Sequence, residues 1–596
     1  MLEYLQQFVN SLQGKMTKIY LILANIILVI FAIWFSNIGL LPFGNLSDFL
    51  IFAGLVLLLA IYRPGWAFVL FVGSLVLENV NLAPKILGFA LRPYQFLALA
   101  LVIALVVRGV SRRLPLPPKE FFPKLKWFDA LPIIFVVSGF LSSLISHAGL
   151  KQTIVALSFV VLYFLARIYV QNMNDLKRIL PFFLSSGIIV ALYGILQNIL
   201  FINGRNSFEV MPGRPNGTFS EPDWMGIYLV FLLAVIYTII YKISIAITND
   251  QETNSKQIPI YNIQNTKLGY KFFDRLKFGD WILFVSCFLF LVISYITLIL
   301  TVSRSAWLGA VFVTIGFLKI MLTNGSFRLS NWDWKKFVRS SGSIIAVVII
   351  SIGIVYIFNL SRFQIFNRAA STAGLQKITI ACEENTYKKD LAPDKINNVS
   401  ELEQYGCRHI KLEDIEKEKA AGFAIKEIYR TDPNVNIRAE IYKKSWEQIK
   451  MHPIFGIGWG SISQILGTDE RPARVATPLN KNEELDVFEK QSKESTNQTQ
   501  QSVAGGGAGL NASNIFLETW LGAGLIGILS FIILLVYVFA KSVKIFLSKS
   551  IIDKSVAVFI LLGWTAIIIP NLFNSGIFLG FLWIYLAATL GLMEEV

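Results

Sequence analysis

Apolar stretches of about 18 residues recur along the chain, and each is long enough to cross a ~30 Å hydrocarbon layer as a helix. Fourteen are read, near 18–36, 47–62, 64–80, 93–108, 129–147, 152–171, 178–201, 223–246, 280–300, 305–322, 341–360, 514–541, 554–571 and 575–593. The third is short and suits a re-entrant element, because Glu78 and Asn79 end it early. The runs are continuously apolar, not alternating, which excludes a β-barrel. The pattern predicts an all-α polytopic membrane protein of about 12–14 transmembrane helices, with a large external loop containing amphipathic helices. The first run follows Lys15 and Lys18, and no small-x-small cleavage site comes after it, so a retained helix is expected there.

The polar connections orient these helices. Alternate connections collect Lys and Arg: Arg108, Arg112, Arg113, Lys119, Lys124 and Lys126; then Arg167, Lys177 and Arg178; then Lys256, Lys267, Lys271, Arg275 and Lys277; then Lys335, Lys336 and Arg339; then Lys541, Lys544, Lys549 and Lys554. Basic residues mark cytoplasmic connections, so both termini are expected in the cytoplasm. Only 16% of the 596 residues are charged, whereas soluble domains run near a quarter. Orientation thus accounts for the formal net charge of +15, and no nucleic-acid partner is expected.

The expected organisation is an N-terminal bundle over 1–360 (about 11 segments), an external loop over 361–512, and C-terminal helices over 513–596. The long loop carries as many acidic as basic residues, and long external segments translocate largely regardless of charge. Within it, 436–451 has Ile437, Ile441, Lys444 or Ser445, and Ile449 near helical spacing, which predicts an amphipathic surface helix. HPIFGIGWG at 452–460 follows, with proline and glycines that end the helix in close turns. Residues 479–511 are polar without a core pattern and read as a flexible insert. Cys382 and Cys407, 25 residues apart, could form a disulfide in an oxidising compartment; two separate thiols fit the spacing equally well. Cys287 reads as packing within a membrane segment.

Costly polar groups gather on the external connections. Arg214 lies in GRPNGTFSEPDWMG at 213–226, Arg304 in the tight turn TVSRSAWLG at 301–309, and Arg438 near the start of the surface helix. Each could snorkel or pair with a local carboxylate. Together they suit a diphosphate, because guanidinium groups stay charged and grip its oxygens in pairs. Glu221 and Asp223 open the eighth helix, where they could cap it, orient Arg214 or activate a hydroxyl. Asn514 and Glu518 are spaced to share one helix face. Ser303 and His452 are secondary candidates with Asp223; His147 and His409 read as structural or solvated. No group of His, Cys or carboxylates has metal spacing, and Gly505–Gly509 lacks the Lys-Ser/Thr of a phosphate loop, so no metal or cofactor is expected.

RPNGTFSEPDWMG at 214–226, SRSAWLG at 303–309, RAEIYKKSWEQIKMHPIFGIGWG at 438–460 and SNIFLETWLGAGLIG at 513–527 resemble, in order and spacing, the O-antigen ligase and Wzy-type polysaccharide polymerase superfamily. The resemblance covers about residues 90–595. It implies a glycosyltransferase in the bacterial inner membrane, its site facing the periplasm. The implied partners are a polyprenyl-diphosphate-linked glycan donor, a glycan or lipid-linked acceptor, and membrane lipid. It further implies that Arg214 and Arg304 engage the donor diphosphate, with Arg438 a weaker third. In the ligases the position before the equivalent of Asn514 is often a histidine proposed as the base. Here it is Ser513, a poor base, which shifts that role toward Glu518 or Glu221. The rival classes are a transporter of a small anion, which would want polar breaks at the midplane, and a flippase, which would want charges along a crossing path.

Overall fold

The computed structural model describes residues 15–110, 125–147, 150–211, 213–255, 278–323, 332–360, 375–383, 394–397, 399–410, 415–431, 433–459, 512–547 and 551–595. Arg112, Arg113, Lys119 and Lys124, the basic connection 256–277, Lys549, and the insert 479–511 with its glycine run lie outside the described residues. Each of the fourteen apolar runs contains a helix. In chain order the first eleven are α1 (Lys15–Asn37), α2 (Leu46–Tyr62), α3 (Pro64–Ser74), α4 (Pro93–Val110), α5 (Ala130–Ile145), α6 (Leu150–Tyr169), α7 (Met173–Ile202), α8 (Pro222–Ser255), α9 (Phe278–Thr301), α10 (Arg304–Thr323) and α11 (Trp334–Ile357). After the long connection come α14 (Ile515–Phe546), α15 (Ile551–Asn571) and α16 (Gly580–Glu595). Among the described residues, 11 helices are long and apolar enough to span a membrane. The chain is an all-α polytopic membrane protein.

The remaining elements lie between α11 and α14: β1 (Leu375–Glu383), β2 (Lys395–Ile396), β3 (Cys407–Ile410), α12 (Ile415–Ala420), β4 (Phe423–Thr431) and α13 (Pro433–Met451). The chain divides into two compact units, one running through Val355 and resuming over Gln448–Val596, the other Tyr356–Glu447. The smaller unit holds a four-stranded sheet of order β2-β4-β1-β3 that the sequence pattern did not announce. Cys382 and Cys407 face each other in the β1–β3 register and form a disulfide. Around it Ile378, Ile380, Ile396, Leu402 and Ile428 form the core. A helix occupies the expected stretch as α13, and its buried positions Ile441, Ser445 and Ile449 recur every fourth residue.

In the larger unit α8 is the central helix. Of its membrane window 83% is buried, against 22% for α1 and for α11. Around α8 stand α9, α10 and α15, while α14 lies on α5 and α16 on α6. One end of this bundle collects the basic residues. Arg108 donates to the Ile61 carbonyl, Lys541 to that of Met593, and fully buried Arg167 bonds Asp129 and Glu594. The candidate residues of the larger unit at the starts of α8, α10 and α14 lie toward the other end. There α3 contributes only 11 residues, about 16 Å of helix, before the backbone turns irregular. The helix is thus as short as the sequence reading expected.

HPIFGIGWG locks onto α14 through the backbone. Gly524 leaves helical geometry (φ 67°, ψ −170°), which frees the Leu521 and Ala523 carbonyls and the Leu525 amide. Ile457 N–H donates to the Leu521 carbonyl (2.7 Å), Ser138 Oγ to that of Ala523 (2.5 Å), and Leu525 N–H to that of Ile454 (2.9 Å). Trp520 Nε1 donates to the Pro453 carbonyl, and Trp459 lies fully buried over Gly522. A β-carbon on Gly456 would overlap the Leu521 carbonyl, and one on Gly524 the Ile454 carbonyl. Both glycines also have φ near +70°. These bonds explain why the compact sheet unit ends at Glu447: the chain from Gln448 onward belongs to the bundle.

The connection from α7 to α8 folds back on itself. Gln197 donates from Nε2 to the Gly217 carbonyl and accepts from Gly217 N–H (2.7 Å). Asn216 Nδ2 donates to the Phe219 carbonyl (2.5 Å). Glu209, which the sequence reading passed over, accepts from Gly213 N–H (2.9 Å). Burial pushes its carboxyl up to about 7 from an ordinary value of 4.5.

Two outcomes are expected. Gly524→Ala should lower the thermal inactivation temperature in detergent, since a strained non-glycine backbone costs ~1–3 kcal/mol before any overlap; an unchanged temperature would refute the interlock. Glu209 takes up its proton more readily folded than unfolded, so its contribution is full below pH 4.5 and is lost as pH rises through about 7. Glu209→Gln should therefore stabilise the protein more at pH 8 than at pH 5 when inactivation temperatures are compared.

Candidate active site

Proline fixes the first turn of α8, and the chain ahead of it returns over the end of α9. Arg214 is the hinge of this arrangement. Its Nε donates to the Thr301 carbonyl (3.0 Å) and its Nη2 to Asp223 Oδ1 (3.1 Å). Nη1 faces the Met211 thioether at 3.6 Å, a weak acceptor. The Arg214 side chain is 14% exposed, that of Asp223 26%. Asp223 thus pairs with Arg214 and also lies in the first turn of α8, where its charge favours the helix N-terminus.

Thr301 is three residues before Arg304, so the bond from Arg214 ties the two arginine-bearing segments together. The turn between α9 and α10 holds Val302 at φ 52°, a genuine outlier for a β-branched side chain. Cross-bracing keeps it there. Trp307 Nε1 donates to the Leu298 carbonyl (3.0 Å), Trp307 N–H to that of Ser303 (2.9 Å), and the Ser303 and Ser305 hydroxyls stand 3.3 Å apart. Arg304 is the first residue of α10 and is half-buried. A cation at a helix N-terminus opposes the macrodipole, so its place there is not explained by helix electrostatics. Gly226 of α8 lies against Ser303 and Ala306, where a β-carbon would stand 3.1 Å from that of Ser303. The fifth residue of α8 and the start of α10 therefore touch. Ser303 itself is fully buried beneath them.

Asn514 differs from its expected place. It precedes α14 as the N-cap, with extended backbone, and does not share a helical face with Glu518. Its Oδ1 accepts from the amides of Phe516 (2.9 Å) and Leu517 (3.1 Å), and its Nδ2 donates to the Leu572 carbonyl (2.9 Å). With both ends of the amide engaged, its part is to fix the start of α14 against the end of α15. Ser513 is half-buried and adopts φ 51°, the left-handed region that non-glycine residues seldom enter. Glu518 is 1% exposed. It lies beside the Ser575 hydroxyl and within electrostatic reach of Glu221. Its Oε2 has no hydrogen-bond partner among the described residues. The two carboxylates singled out in the sequence, 297 positions apart, thus influence each other electrostatically from the starts of α8 and α14.

The other candidates stand apart from this set. Arg438 is exposed on α13, within the smaller unit. His452 is exposed and serves the turn after α13: its amide donates to the Gln448 carbonyl and its carbonyl accepts from Gly456 N–H. Among the described residues, no group of three or more His, Cys, Asp or Glu is arranged to hold a metal ion. Thr301 and Ser575, which contact Arg214 and Glu518, escaped the sequence reading because small hydroxyl residues in apolar segments carry no distinctive pattern.

Residues 289–532 match a family model, Wzy_C, described as O-antigen ligase. No match to a curated protein or to a solved structure was found. The matched segment contains Arg304, Arg438, Ser513, Asn514 and Glu518, and its similarity to that family supports the resemblance to the O-antigen ligase superfamily.

Proposed function

We propose that this membrane glycan ligase or polymerase transfers a glycan from a polyprenyl-diphosphate-linked donor to an acceptor hydroxyl on the external face of the bacterial inner membrane. The observation that carries this reading is the bond from Arg214 to the Thr301 carbonyl, which joins the arginine of one connection to the turn that presents the other. In the proposed reaction the acceptor oxygen attacks the anomeric carbon and the bond from that carbon to the diphosphate oxygen breaks. The electron pair leaves on the lipid diphosphate. Arg214 and Arg304 stabilise that charge, the first with the guanidinium edge turned toward the Met211 thioether. The hydroxyl proton passes to the Glu221–Glu518 pair, of which Glu221 is the more exposed member. The lipid diphosphate is already a good leaving group, so cations and a base suffice.

Two observations support the sidedness. The disulfide belongs to the connection between α11 and α14, and disulfides persist in oxidising compartments. The basic residues gather at the end of the bundle away from Arg214 and Arg304, as cytoplasmic connections do. A transport reading gains nothing at that end, where Arg167 is fully buried between Asp129 and Glu594.

With purified protein in nanodiscs and a lipid-linked glycan, Arg214→Ala and Arg304→Ala should each lower transfer ~10²–10³-fold while leaving expression intact. Arg304→Lys should also impair, because a point charge does not reproduce the guanidinium fork. Full activity in both alanine variants ends the diphosphate assignment. Glu518→Gln and Glu221→Gln should each reduce kcat by ~10²-fold or more; if neither does, the base lies elsewhere. In cells lacking the protein, single unextended surface units identify a polymerase, and accumulated lipid-linked polymer identifies a ligase.

A further inference from the structure

The irregular stretch after α3 contains an ion pair that no candidate role has used. Glu78 is 2% exposed and Arg92 5% exposed, and Arg92 Nη1 lies 2.9 Å from Glu78 Oε1. The same nitrogen donates to the Tyr94 hydroxyl (2.9 Å). Tyr94, fully buried at the start of α4, stands against Gly580, the first residue of α16. Between Glu78 and Arg92 the chain makes a closed excursion. Asn81 Oδ1 accepts from the amides of Ala83 (3.1 Å) and Leu91 (2.8 Å), and Leu82 N–H donates to the Leu91 carbonyl (2.9 Å). The ion pair therefore closes the neck of a loop whose tip, Ile86 and Phe89, is exposed.

That neck is joined to the connection carrying Arg214. Asn79 N–H donates to the Thr218 carbonyl (2.7 Å), and Thr218 Oγ1 donates to the Val76 carbonyl (2.5 Å). Gln197 of α7 holds the same stretch at Gly217. Residues 216–219 are thus gripped on one side by α7 and on the other by the residues flanking Glu78. Arg214 lies two residues before this grip, and Glu221 and Asp223 follow it closely.

Stability alone does not account for charges at this position. Replacing a buried ion pair by apolar side chains of similar volume is often neutral or stabilising, and ionisable groups in membrane elements are costly. What the pair adds is direction: a guanidinium bonded to both a carboxylate and a phenol fixes where the neck sits. We infer that Glu78 and Arg92 are positioning residues for the proposed transfer, holding the neck of the 79–91 loop so that the 214–223 connection presents Arg214 and Glu221 in register. This rests on the proposed function for its kinetic consequence, but not for its structural one.

The test uses the full chain in nanodiscs. The double variant Glu78→Leu/Arg92→Met replaces the pair with apolar groups and avoids stranding a buried charge; Glu78→Asp keeps the charge. Three quantities are read: thermal inactivation temperature, amide hydrogen exchange of residues 216–219, and kcat and KM for a lipid-linked glycan donor. The double variant should match the wild type in inactivation temperature, exchange at least about tenfold faster at 216–219, and lose about tenfold or more in kcat with KM little changed. Glu78→Asp should retain slow exchange and most of kcat. A stable double variant with wild-type exchange and wild-type kcat overturns the inference. Should the wild type fail to use the lipid-linked donor, the proposed function falls, while the exchange of residues 216–219 still decides whether the pair positions the connection.

Discussion

A bilayer offers the backbone no water, so wherever this chain leaves helical geometry another segment must take its amides and carbonyls. The kink at Gly524 is met by Pro453–Ile457 and Ser138. The irregular stretch after α3 is met by Thr218. The return of the chain before α8 is met by Gln197, and the guanidinium of Arg214 takes a carbonyl at the end of α9. These exchanges are not spread evenly. They fall on the connections that carry the candidate site residues, so the requirement that forbids loose backbone in a membrane also holds Arg214, Arg304 and Glu518 in fixed relation. The strained backbones of Val302 and Ser513 belong to the same regions, and strain of this kind survives only where its surroundings over-determine it.

Buried charge obeys a parallel rule. Arg167 is answered by Asp129 and Glu594, Arg92 by Glu78, and Arg214 by Asp223. Glu518 is the exception that carries meaning. It is as buried as these, yet its neighbours are a hydroxyl and another carboxylate, Ser575 and Glu221. A carboxyl in such company is suited to proton exchange in a way that a paired one is not. The cations of the candidate site and its carboxylates therefore sit in different environments. Arg214 is restrained by partners that leave part of its fork facing a weak acceptor, and Glu518 keeps one oxygen without a donor among the described residues.

Much of this was legible in the sequence because membrane helices write themselves in composition: all fourteen apolar runs hold helices, and three of the positions expected near helical spacing in α13, Ile441, Ser445 and Ile449, are buried. Arg214 and Arg304 stood out because charge is rare at such edges. The rest was hidden for physical reasons. The sheet of 375–431 has short strands with mixed charged and apolar residues, and β-pairing is decided by partners distant in sequence, here Cys382 with Cys407. Asn514 looked like half of a pair with Glu518 because spacing fixes a helix face only where both residues are helical, and Asn514 is the cap. Arg92 passed unremarked because LRPYQF reads as an ordinary helix start; that it is buried against Glu78 depends on a turn of the chain that no local pattern encodes.

The family match begins at residue 289 and so leaves out Arg214, Glu221 and Asp223. The structure closes that gap in a particular way. Arg214 reaches Thr301 inside the matched segment, Gly226 lies against Ser303 and Ala306, and Glu221 is within electrostatic reach of Glu518. The first two are direct contacts and the third is electrostatic; each joins an unmatched residue to a matched one, at the end of α9 or near the starts of α8, α10 and α14. The candidate site is therefore composite: neither the matched segment nor the stretch before it holds both arginines and both carboxylates. A change confined to the stretch before residue 289 can thus reach the matched segment through these links, with no need to disturb the helices that carry them.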